Sequence, residues 1–269
     1  MPIDLGLIAA IHVDRARHGD LATPSRRADE VFQVSTIAAL LEGRYDGDLS
    51  IGELLGYGDL GLGTLDGLDG EMLIVDGVAW QGTMDGSLRR IGAEERTPFA
   101  VIVPFVAERE APLPVPANEA LALDPLQRAI DRLIPDPTRI WAIRIEAEVR
   151  SITVRSVPRQ VPPYPPLVAV TAQEALFALP AGRMTIVGFR FPDALGGIGV
   201  PGYHLHAADA ARAQGGHVLA VELVAGTIAL DPADTLHLEL PAGVGDAIAA
   251  ATAEEQARIA AAEVRIPGR

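Results

Sequence analysis

Gly61-Leu62-Gly63-Thr64-Leu65-Asp66-Gly67-Leu68-Asp69-Gly70-Glu71-Met72-Leu73-Ile74-Val75-Asp76-Gly77-Val78-Ala79-Trp80-Gln81 sets the architecture of this chain. Short apolar runs alternate with Asp-Gly pairs, and Asp-Gly readily takes the positive φ angles that a tight hairpin needs. With the further pair Asp85-Gly86, the stretch predicts a meander with strands at Gly61–Leu65, Glu71–Val75 and Val78–Gln81. Upstream, Val31–Val34 reads as a strand feeding a helix capped by Ser35 or Thr36 and stopped at Gly43. Ser50 caps a second short helix over Ile51–Leu55. Downstream, Pro98–Phe105 adds a strand, a Pro-rich connection leads to a helix over Asn118–Leu133, and Arg139–Val157 alternates as one long strand or two consecutive ones.

The nine residues Pro158–Pro166 carry five prolines and read as a stiff, extended crossover. A domain boundary is expected there. It divides an N-terminal mixed-sheet domain, 1–157, whose first 28 residues form a mobile or loosely docked arm, from a C-terminal metal-binding β-rich domain, 158–269. In the second half, strands are expected at Met184–Phe191, Tyr203–Ala207, His217–Leu230 and Leu236–Leu240, then a helix from Gly245 to Glu263. Many short β elements with few helices predict an α+β protein of two domains built on mixed sheets.

The chain has 269 residues, 49% of them hydrophobic, enough to fill a sizeable core. Its formal charge of −14 and lack of a Lys/Arg cluster argue against nucleic acid and anionic membrane surfaces as partners. A small anionic substrate remains open, since a local arginine and a metal override the overall field. There is no cysteine, which excludes thiolate nucleophiles, disulfides and Cys-ligated metal. Neither a leader-like start nor a run of about 20 apolar residues is present, so a cytoplasmic protein is expected.

Three of the six histidines cluster in Gly202-Tyr203-His204-Leu205-His206 and Gly215-Gly216-His217. On a strand, His204 and His206 lie two apart and share a face. The polar stretch Ala208–Gln214, closed by two glycines, returns the chain so that His217 supplies a third nitrogen from the adjacent strand. Three neutral imidazoles suit Zn²⁺ and, less exclusively, Fe²⁺, Mn²⁺ or Ni²⁺. The plainer alternative is three hydrogen-bonded histidines on a half-buried sheet.

Three blocks in order, Leu62–Met72, Arg155-Ser156-Val157-Pro158-Arg159-Gln160 and the histidine segment, resemble the α-acetolactate decarboxylase family from about Val31 onward. The resemblance implies a zinc-dependent carboxy-lyase that converts 2-acetolactate, a small anionic 2-hydroxy-3-keto acid, to acetoin and CO₂. The metal ligands it implies are His204, His206 and His217. Glu71 and a tail glutamate stand alongside, and Arg155 is the active-site arginine. Among Glu254, Glu255 and Glu263, Glu263 is preferred because it stands alone in Ala260-Ala261-Ala262-Glu263-Val264.

In the implied mechanism a metal-stabilised enediolate forms as CO₂ leaves and is protonated on one face. Zinc serves as the Lewis acid, Arg155 as the carboxylate anchor, and Glu71 or Glu263 in the proton's path. The family also implies a homodimer. Ala207, at a position often Phe in the family, is expected to widen the pocket. Two other classes compete: a cupin-like metal oxygenase, weakened because Ala207-Ala208-Asp209-Ala210 lacks that motif's glutamate, and a non-catalytic zinc- or anion-binding domain.

Overall fold

The computed structural model describes residues 27–241, the backbone of His12–Arg17, and Ala257. Two large sheets, a two-stranded one of β3 (Leu49–Ser50) and β8 (Arg96–Thr97), four short α-helices and a 3-10 turn at Asp193–Leu195 make up the described fold. The first sheet runs in the order β1 (His12–Arg17), β16 (Thr235–Leu240), β2 (Glu30–Val34), β9 (Phe99–Val103), β4 (Leu60–Thr64), β5 (Glu71–Val75), β6 (Val78–Gly82) and β7 (Leu88–Arg90). β16 is parallel to both β1 and β2, whereas β2, β9, β4, β5, β6 and β7 pair antiparallel, so the sheet is mixed.

The meander forms as its sequence predicts. Asp76 and Gly77 take φ of 53° and 73° between β5 and β6, which is the hairpin geometry that Asp-Gly favours. Thr36 caps α1 (Ile37–Leu41) by accepting from the Ala39 amide. Ser50 and Glu53 form a reciprocal capping box on α2 (Ile51–Leu54).

The second sheet contains β10 (Arg109–Pro112), β15 (Gly215–Ala233), β14 (Gly202–Asp209), β13 (Gly182–Phe191), β11 (Ile140–Ser156) and β12 (Ala175–Leu179). Because β15 pairs with β11 as well as β14, the strands β11, β15, β14 and β13 close on themselves like a small barrel. The alternating stretch Arg139–Val157 thus holds one long strand, Ile140–Ser156, rather than two.

The boundary expected at residue 157 does not coincide with the division between the sheets. β10 and β11 precede it yet belong to the second sheet, while β16 follows it and lies in the first. Part of the expected N-terminal arm, His12–Arg17, is a strand that extends the first sheet beyond β16. The helix expected over Asn118–Leu133 is shorter, α3 (Leu123–Asp131). Leu121 exchanges both backbone hydrogen bonds with Leu223, which holds the preceding chain extended against β15. The helix expected over Gly245–Glu263 lies outside the described residues apart from Ala257.

Between the two sheets lies one core, with Val31, Leu62, Leu73 and Val101 of the first packed against Ala142, Val187 and Phe189 of the second. A separate core fills the barrel, drawn from Trp141, Ile143, Ile145, Ile186, Leu205 and Leu230 and closed by Leu126 and Ile130 of α3. The parity of β11 switches along its length. Trp141, Ile143, Ile145, Ala147 and Val149 point into the barrel, then register shifts around Val149–Ser151 hand that role to Ile152 and Val154. Such a bulge turns every later side chain to the other face. It thereby brings Arg155 out of the barrel interior and onto the side of the first sheet.

A candidate metal centre between the sheets

His204 and His206 occupy β14 at alternate positions and face the first sheet, while Tyr203, Leu205 and Ala207 pack against or within the barrel core. The β14–β15 hairpin sets His217 directly opposite His206. The turn is held by Asp209, whose Oδ1 accepts from the amides of Ala213 at 2.7 Å and Gln214 at 3.0 Å. Gly215 and Gly216 are required by close backbone approach. A Cβ on the first would run into the carbonyl of Ala207, and on the second into the carbonyl of Arg155.

All three imidazoles are buried, and one nitrogen from each lies within 4.8 Å of the others. The Nε2 atoms of His204 and His206 are 3.2 Å apart. Two nitrogens bound tetrahedrally to one zinc stand about 3.3 Å apart. His206 Nδ1 lies 2.8 Å from the carbonyl oxygen of Met72 on β5, so it is Nδ1 that carries the proton and donates. That tautomer directs the Nε2 lone pair into the cluster, the usual arrangement of a metal-ligating histidine.

Burial, reinforced by the charge of Arg155, lowers the His204 pKa to about 3. Burial likewise holds His206 well below the ordinary range, with His204 and Arg155 adding to the effect and the Met72 carbonyl opposing it. Both are neutral near pH 7, as ligands must be. A metal fits these residues: three buried nitrogen donors converge, with a carboxylate beside them.

That carboxylate is Glu71. It opens β5 immediately after Gly70, whose φ of 74° completes the turn. The turn is tied by Thr64 Oγ1 donating to the Gly70 carbonyl at 2.7 Å and by Gln81 Nε2 donating to the Asp69 carbonyl at 2.6 Å. Glu71 bridges two groups, with Oε2 3.5 Å from His206 Nε2 and Oε1 3.6 Å from Arg155 Nε. Arg155 is only 3% exposed and sits opposite His217 in the β11–β15 ladder.

A cavity is lined by His204, Glu71, Arg155 and Thr64, with an apolar wall that includes Ile37 and Leu40 of α1, Phe99 of β9 and Leu167 of α4 (Leu167–Thr171). Polar groups thus converge at one end of an otherwise apolar pocket, which is how small-molecule sites are built. An imidazole of the histidine cluster, a carboxylate and a guanidinium on one pocket can together bind and polarise a small oxyanion.

Five of the six sequence-predicted site residues, His204, His206, His217, Glu71 and Arg155, come together here. The sixth, Glu263, lies outside the described residues, as do Glu254 and Glu255. Arg159 is a surface residue paired with Asp66 at 3.3 Å and Asp69 at 3.7 Å. The expectation for Ala207 is corrected: it is fully buried on the barrel side of β14, opposite in parity to the histidines, so it does not line the cavity.

Sequence reasoning missed Thr64, Thr171 and the apolar wall from α1 and α4. It also missed Glu174, which bonds Arg155. Thr64 sits inside the quoted block and was open to discovery. α4 follows a proline run that masks its short apolar pattern.

Residues 31–246 match the model of the family described as alpha-acetolactate decarboxylase. A relative from Methylococcus capsulatus named alpha-acetolactate decarboxylase is 40% identical over 242 residues, covering 90% of this chain and 91% of that protein. One of the same name from Bacillus subtilis is 33% identical over 212 residues, covering 79% and 82%. The X-ray structure of alpha-acetolactate decarboxylase from Bacillus subtilis strain 168 superposes with a TM-score of 0.81 at 31% identity, covering 88% of this chain and all of that one. Fold, site and sequence agree, and the chain belongs to the α-acetolactate decarboxylase family.

Proposed function

We propose that this carboxy-lyase converts 2-acetolactate to acetoin and CO₂ with Zn²⁺ held by His204, His206 and His217. The observation that carries the reading is the convergence of these three buried imidazoles beside a cavity that His204, Glu71 and Arg155 line. When bound, zinc supplies Lewis acidity toward the electron pair left behind by departing CO₂. The buried guanidinium of Arg155 receives the substrate carboxylate by charge-assisted hydrogen bonds. Ile37, Leu40, Leu68, Phe99 and Leu167 offer apolar surface to the methyl and acetyl groups and keep bulk water out.

Glu71 lies between His206 and Arg155, and in this reading its carboxylate relays a proton from water to the carbon that CO₂ leaves. Delivery from that one side gives acetoin of a single hand. The tail glutamate Glu263 completes the proposal as a second carboxylate at the metal. A homodimer, implied by the family resemblance, belongs to the same proposal and is tested by light scattering. No helix among the described residues is long and apolar enough to cross a membrane.

The test is acetoin formation from racemic acetolactate by purified protein, before chelation, after it, and with Zn²⁺ returned. Acetoin lost on chelation and restored by zinc is the expected result. One equivalent of bound metal without acetoin would instead favour a metal-dependent oxygenase or an anion-binding protein.

A further inference from the structure

We infer that Glu174 is a positioning residue that fixes the guanidinium of Arg155 for the substrate carboxylate, an inference resting on the role proposed above for Arg155. β12 pairs with only the last five residues of β11, Ile152–Ser156. In that ladder Arg155 stands opposite Leu176. Glu174 lies two residues before Leu176, just ahead of β12, within reach of a long side chain. Its Oε2 lies 3.3 Å from Arg155 NH1.

Both side chains are out of water, Arg155 at 3% exposed and Glu174 at 5%. Glu71 and Arg155 line the cavity, whereas Glu174 does not. Glu71 is therefore placed to meet substrate, and Glu174 acts on substrate only through Arg155.

A guanidinium ends a long, flexible stem, and its value as an anion receptor depends on holding its plane still. Here two of its nitrogens are addressed by carboxylates on different elements, Nε by Glu71 of β5 and NH1 by Glu174 before β12. Two fixed points define the orientation of a planar group. Removing Glu174 takes away one of these holds, and displacement of an anchoring group by about an ångström costs up to roughly a hundredfold in rate. Glutamine at 174 offers an acceptor oxygen at the same reach, so the orientation survives loss of the charge. Alanine does not.

The test measures steady-state kinetics on acetolactate, and calorimetric affinity for 2-hydroxy-2-methylpropanoate, a 2-hydroxy acid that lacks the ketone. Both are read on zinc-loaded wild type, Glu174→Ala and Glu174→Gln. Glu174→Ala is expected to lower kcat/KM and the affinity for the hydroxy acid by roughly ten- to a hundredfold, with zinc content unchanged. Glu174→Gln is expected to restore most of both losses. In an Arg155→Lys background, where the fork is gone, Glu174→Ala is expected to have little further effect.

Alanine and wild type agreeing within about twofold in both readouts would overturn the inference. So would equal losses in alanine and glutamine variants accompanied by a lowered melting temperature, which would mark a merely structural pair. Wild type that makes no acetoin would sink the decarboxylation reading alone, and the hydroxy-acid affinities would still decide the role of Glu174.

Discussion

Acidifying the metal-free protein from pH 7 to pH 4 is expected to destabilise it through the histidine cluster, by an amount the site itself sets. Unfolded, His204 has its ordinary pKa of 6.5 and is almost fully protonated at pH 4; buried, with its pKa lowered to about 3, it remains mostly neutral. The unfolded chain therefore binds more protons between these values. Stability contributed by neutral His204 is complete above 6.5 and is lost as pH falls toward 3. At 1.36 kcal/mol for each pH unit of that window, the loss by pH 4 is about 3 kcal/mol.

His206 is shifted in the same direction by burial and adds to the effect. The assay is urea unfolding of chelator-treated wild type and of the His204→Gln variant at pH 7, 5.5 and 4. Wild type is expected to lose about 3 kcal/mol more than the variant between the extremes. Equal losses in the two proteins would refute the claim that a neutral, desolvated His204 governs the acid limb. Because metal competes with protons for the same nitrogens in the folded protein, added zinc is expected to raise stability throughout and to carry the end of the loss below pH 3, while the onset stays near the unfolded histidine's pKa of 6.5.

Glu71→Gln keeps the shape of the bridge between His206 and Arg155 but cannot carry the proton. It is expected to lower kcat roughly a hundredfold while zinc content, read by atomic absorption, stays near one equivalent. Ala207→Phe forces a ring into the filled barrel core, so calorimetry is expected to show about 1–3 kcal/mol of destabilisation. The ratio of rates on acetolactate and its ethyl homologue is expected to be unchanged, because residue 207 does not line the cavity. Asp231 has its pKa raised to about 6, chiefly by burial, so its stabilising contribution is present below 3.8 and lost as pH rises through 6. Asp231→Asn is accordingly expected to gain stability relative to wild type between pH 4 and 7 in denaturant titrations.

The strands were legible where local chemistry dictates them. Asp76-Gly77 fixes its own hairpin, Ser50 with Glu53 caps its own helix, and Gly215-Gly216 permits the close approach that carries His217 to His206. The histidine triad followed, because a two-residue spacing on a strand fixes the face. The reach of Arg155 was written less openly, in the three-residue step from Val149 to Ile152 that breaks the alternation of β11.

What did not show was partnership across the fold. Glu174 has no local signal, since its meaning comes from pairing with a strand 19 residues earlier. The parity of Ala207 was available from the same two-residue rule that placed the histidines, yet the family's frequent Phe at that position suggested a pocket residue. The division of the sheets was hidden for another reason: β16 returns to β2 by parallel pairing, which leaves no hairpin in the sequence.

That return ties the ends of the described chain into one unit. A fragment ending at residue 157 would keep β2 without its neighbour β16, and β11 without β13, β15 or β12. Each would present unpaired amides and carbonyls along a hydrophobic strand, the kind of edge that recruits other chains. A cut in the proline-rich crossover therefore gives no separable halves. Severed there, the two pieces have reason to stay interlocked or to aggregate, and His206 would lose the Met72 carbonyl that orients it only when both sheets come apart together.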